Sequence, residues 1–74
     1  MLEDTPVRKI DARGLSCPQP VIVTRNAMAA GDGVLEVWVE TGTSRDNVTR
    51  MAHKEGWRVE VRDVKDGFKL LLTR

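Results

Sequence analysis

Only one cysteine occurs in this chain, Cys17, and that scarcity excludes an internal disulfide. The fold must stand on packing alone, which agrees with a reducing compartment. Histidine is equally scarce. His53 and Cys17 do not make a metal site between them, so neither a metal nor a cofactor is expected and His53 reads as solvated surface. Two Trp and one Phe are the only aromatics, few for stacking bases. Acids and bases are interspersed and nearly cancel, to a formal net charge of +1. The basic stripe of a nucleic-acid binder is missing, so no strong nucleic-acid binding is expected. No stretch approaches the ~20 apolar residues of a membrane span. The leading MLEDTPVRK has no apolar run resembling a signal peptide, which predicts a cytoplasmic protein.

At 74 residues, the chain reads as a single domain over residues 1–74. Chains this short bury only about 60% of the surface that their unfolded form exposes. That leaves no room for a deep substrate cavity beside a core. Chemistry has to sit at the surface, at a loop or the end of an element.

Hydrophobic periodicity predicts the order β-α-β-α-β-β. Val7 to Asp11 reads as a first strand with Val7 and Ile10 inward. A helix runs from Cys17-Pro18-Gln19-Pro20 to about Ala30, where Gly31-Asp32-Gly33 ends it. Val34 to Glu40 alternates, with Leu35, Val37 and Val39 on one face and Glu36, Trp38 and Glu40 on the other. Thr43 or Ser44 is the expected cap of a second helix, in which Val48, Met51 and Ala52 form the buried stripe before Gly56. Trp57, Val59 and Val61 predict one inward face, and Phe68, Leu70 and Leu72 another, joined by a turn at Asp66-Gly67. Two helices cover only one face of four strands. The expected architecture is a two-layer α/β (α+β) sandwich with a mixed sheet and an open face dominated by polar residues.

Cys17 is the residue around which chemistry can be built. A thiol acts as a nucleophile only when deprotonated, and an ordinary cysteine near pKa 8.5 is only ~3% thiolate at pH 7. Unpaired N–H groups and the dipole at a helix start favour negative charge. A fall to about 6.5 makes it roughly three-quarters thiolate. Pro18 pushes Cys17 out of helical geometry, so the cysteine precedes the helix. Pro18 and Pro20 fit a first turn, where a missing N–H removes no helical bond. Parallel first strands with a right-handed crossover place both helix starts, and hence Ser44 and Arg45, at the edge carrying Cys17. Arg13 adds positive charge nearby, while Asp11 and Gly14 read as shaping the loop.

The run Asp11-Ala12-Arg13-Gly14-Leu15-Ser16-Cys17-Pro18-Gln19-Pro20-Val21 resembles the signature of the TusA/SirA/YedF family of sulfur carriers. The resemblance continues through Thr24, Ala27-Met28, Gly31, Asn47-Val48, Gly56 and Asp66-Gly67-Phe68. It implies a sandwich like the C-terminal domain of translation initiation factor three. It also implies a persulfide on Cys17, with Asp11, Arg13, Gly14, Pro18, Gln19 and Pro20 in support. A cysteine desulfurase is the implied donor. The acceptor is a downstream protein or pathway: tRNA thiolation, cofactor sulfuration, or selenium-related metabolism. Members linked to tRNA often carry Glu at the position of Gln19, and the pattern is nearer to YedF-type members, some of which have a second, DsrE-like domain. A DsrE-like protein is therefore one expected acceptor.

The implied reaction is thiol exchange, in which Cys17 thiolate attacks the outer sulfur of a donor persulfide and an acceptor later removes it. Without a second thiol in the chain, the persulfide cannot collapse to an internal disulfide. That favours a relay over a redox switch. The rival classes are a single-cysteine redox protein and a non-catalytic module binding protein or RNA. Arg13, Ser44 and Arg45 are the expected docking residues of a monomer that meets donor and acceptor in turn.

Overall fold

The apolar residues that alternate along the central strands build the sheet. The computed structural model describes residues 8–15, 18–30 and 33–74. It contains β1 (Arg8–Asp11), α1 (Gln19–Ala30), β2 (Val34–Val39), α2 (Gly42–Lys54), β3 (Arg58–Val64) and β4 (Gly67–Thr73). Sheet order is β1-β2-β4-β3, with β1 parallel to β2 and the other neighbours antiparallel. The expected β-α-β-α-β-β sandwich is the fold observed. Val7, Cys17, Gly31 and Asp32, which figured in the expected elements, lie outside the described residues.

Register explains the core. Val37 pairs with Ile10 on one side and Leu70 on the other, and Leu35 pairs with Leu72. Leu35, Val37, Val39, Leu70 and Leu72 are fully buried, under Ala27 and Met28 of α1 and Val48, Met51 and Ala52 of α2. Burying each large aliphatic side chain contributes roughly 1.5–3 kcal/mol. The opposite face carries Lys9, Glu36, Trp38, Lys69, Leu71, Glu60 and Arg62 in register. Trp38 and Leu71 are half-buried there.

Four local expectations are corrected. Thr41, not Thr43 or Ser44, caps α2: it is extended, and its Oγ1 accepts from the Ser44 N–H at 3.0 Å. The helix thus begins at Gly42. Trp57 is buried but precedes β3, its N–H donating to the Ala52 carbonyl at 2.9 Å. The hairpin turns at Lys65-Asp66, since Gly67 already pairs with Val64, and Asp66 takes the left-handed conformation with φ 66°. Val61, predicted inward, is 41% exposed, because β3 lies at an edge of the sheet.

Candidate functional site

The carboxyl ends of β1 and β2 point the same way, so α1 and α2 begin at one edge of the sheet. Antiparallel pairing of β4 with β2 brings the β3–β4 turn to that edge too, with Phe68 opposite Val39. Segments distant in sequence therefore meet where the chain enters Cys17.

The approach to Cys17 is tied down at both ends. Ala12, buried, donates its N–H to the Trp38 carbonyl at 2.8 Å. The Asp11 carboxylate accepts from the Arg13 backbone N–H at 3.2 Å and from its Nε and Nη2, both at 2.9 Å. This fork from Arg13, aided by the backbone N–H, holds the Asp11 pKa down to about 2. The same guanidinium lies 5.0 Å from the centre of the Trp38 ring, a cation–π contact. Gly14, with φ +85°, donates its N–H to the Glu40 carboxylate. Glu40 was expected on the open face of the sheet. It instead lies just past β2 and anchors the loop.

On the far side of Cys17, the Pro18 carbonyl accepts from Val21 N–H at 3.1 Å and Ile22 N–H at 3.2 Å. Pro20 is buried, whereas Pro18 and Gln19 are exposed. Helical geometry starts at Gln19, so Cys17 precedes it by sequence and itself lies outside the described residues. Prolines have no N–H to offer, and those of Val21 and Ile22 are used. Gln19 has the first-turn amide that finds no partner among the described residues.

Of the expected docking residues, the structure brings Arg13 and Arg45 to this edge. Arg45 Nε bonds Asp46 at 2.9 Å, and its guanidinium lies 4.6 Å from the Phe68 ring centre. That bond raises the Arg45 pKa and lowers that of Asp46. Ser44 is buried, at 7% exposure, and presents little surface at this edge. It sits one turn into α2, below the Thr41 cap.

Sequence reasoning missed the charge of the edge as a whole. Asp11, Glu40, Asp46, Asp63 and Asp66 gather there among Arg13, Arg45, Arg62, Lys65 and Lys69, acids and bases in equal number. Asp66 and Glu40 act on Arg13, and Asp63 on Arg45, through space. Both arginines are already paired. No single stretch of sequence carries this signal, because it depends on which way β4 lands beside β2.

Among the described residues no group of His, Cys, Asp and Glu is placed to hold a metal ion. No helix among them is long and apolar enough to cross a membrane. Residues 8–74 match the family described as Sulfurtransferase TusA. No curated protein gives a significant match. Among solved structures, the chain is similar to the crystal structure of a SirA-like protein from Desulfitobacterium hafniense. The TM-score is 0.83 with 32% sequence identity, over 90% of this chain and 96% of that one.

Proposed function

The chain belongs to the TusA sulfurtransferase family, and on that premise we propose that it carries transferable sulfur as a persulfide on Cys17. The observation that carries this reading is the framing of Cys17. An anchored turn, Asp11 to Leu15, leads into it, and a proline-led helix start follows it. In sequence, Cys17 comes directly before Pro18 and the first turn of α1. There the dipole and the Gln19 amide favour a thiolate over a thiol. Arg13 stabilises the loop first, because its charge is shared with Asp11.

The transfer balances as two exchanges. Cys17 thiolate attacks the outer sulfur of a cysteine persulfide on the donor; the S–S bond there breaks, and the donor leaves as thiolate. An acceptor nucleophile then attacks the outer sulfur on Cys17 and releases the original thiolate. A cysteine desulfurase is the donor class that produces such a persulfide. The acceptor is a thiolation, cofactor-sulfuration or selenium-handling protein of the cytoplasm, with a DsrE-like protein among the candidates. Donor and acceptor need the same sulfur, so they dock in turn on the edge that carries Arg13 and Arg45.

Intact-mass spectrometry tests the reading. Incubation with a cysteine desulfurase and cysteine should add one sulfur atom to the wild-type protein and none to Cys17→Ser. Serine is itself a good residue before a helix, so the variant should remain folded. A wild-type protein that gains no sulfur, or a serine variant that gains it, would remove the assignment.

A further inference from the structure

We infer that the outer edge of β3 pairs with the same edge of a second copy of this chain, antiparallel and centred on Val61. The hydrogen-bond pattern shows which groups are free. Ala12 N–H donates to the Trp38 carbonyl, so even-numbered residues of β2 face β1 and odd-numbered ones face β4. Along β4, residues 68, 70 and 72 then bond to β2, and 67, 69, 71 and 73 to β3. Their β3 partners are residues 58, 60, 62 and 64. Val59, Val61 and Asp63 are left with N–H and C=O groups directed outward, at the end of the sheet order.

Charge selects the occupant and the register. Val61 is the midpoint of the seven residues of β3, so pairing Val61 with Val61 engages the whole strand. In that register Glu60 stands opposite Arg62 of the second copy, and Arg62 opposite its Glu60. The exposed Arg62–Glu60 ion pair, 2.7 Å within one chain, becomes an alternating network across two. Shifting one copy by two residues sets Glu60 against Glu60 in one direction and Arg62 against Arg62 in the other, which like-charge repulsion opposes. The preferred register also covers the exposed Val61 with its own counterpart. All three observations favour self-pairing over pairing with an unrelated strand, and they depart from the monomer expected from sequence. Both copies keep their helices on one face of a continuous sheet, and β1, next to the Cys17 loop, stays at the far side.

Charges on an edge strand also serve to discourage pairing, and a charge-swap cycle separates the two roles. Sedimentation equilibrium in reducing buffer, from micromolar to millimolar protein, should show a monomer–dimer equilibrium. Either Glu60→Arg or Arg62→Glu should weaken it by about tenfold or more, since each single change puts like charges at both symmetry-related pairs. Combining E60R with R62E restores opposite charges and should restore the dimer. In the wild-type protein, the amides of Val59, Val61 and Asp63 should exchange hydrogen more slowly as concentration rises. Monomer throughout, a dimer indifferent to the single swaps, failure of the double variant to recover, or exchange independent of concentration would each overturn the proposal.

Discussion

Gly67 lies so close to the carbonyl of Val39 that a Cβ on it would stand 2.3 Å from the oxygen. Its φ of +154° is also one that other residues rarely adopt. The contact lets β4 enter the sheet beside the end of β2, and so sets the edge where the loops meet. Gly67→Ala should lower unfolding stability by about 2 kcal/mol or more, because the clash is with backbone and neither side can yield cheaply. A urea denaturation curve at unchanged protein concentration checks it. An unaffected midpoint would mean that the close approach is relaxed in solution.

Asp11 makes the protein sensitive to acid in a defined window. Its pKa is depressed from 3.8 to about 2 by the bonds from Arg13. A depressed folded-state pKa stabilises the fold fully above the unfolded value, and that contribution is lost as pH falls through about 2. Asp11→Asn should therefore lie below the wild type at neutral pH and converge with it in strong acid. The pair is exposed, so the difference should be modest and shrink with salt. Urea midpoints followed down the acid limb would show it, and parallel curves would not fit.

The cap of α2 distinguishes Thr41 from Thr43. Loss of the hydroxyl that accepts from Ser44 should cost about 1 kcal/mol in Thr41→Ala. Thr43→Ala, one position inside an exposed helix start, should change stability by no more than about 0.5 kcal/mol. Equal effects in urea unfolding would contradict a cap at Thr41.

Thr24 is fully buried in α1, and its hydroxyl has no hydrogen-bond partner among the described residues. Valine keeps the shape and removes the unsatisfied group. Thr24→Val should leave stability unchanged or raise it by up to about 1–2 kcal/mol. A loss of stability, measured by thermal or urea unfolding, would show that the hydroxyl has a partner in solution.

Legibility from sequence followed the range of the interaction. Leu35, Val37 and Val39 alternate within a few residues, and their burial could be read directly. The Asp11–Arg13 pair is local too, an acid and a base two positions apart at a strand end, yet Arg13 was read for its charge toward Cys17 and its bond to Asp11 went unforeseen. Thr41 was missed because Thr41-Gly42-Thr43-Ser44 offers several caps in succession, and only the extended backbone at Thr41 decides among them. Gly14 meets Glu40 across 26 residues, which no local pattern encodes. Val61 alternates like a core residue, yet its exposure follows from strand order, and that order is settled by packing among distant segments.

Arg74 lies at the opposite rim, where its N–H donates to the Gly33 carbonyl at 2.8 Å and its guanidinium lies over Trp57. The length of β4, roughly 20 Å at the rise of a strand, separates it from Gly67 and the entry to Cys17. A fluorophore or surface tether attached there would hold the protein with the rim of Arg13, Arg45 and Gly67 turned toward solution, suited to timing single encounters with a docking partner.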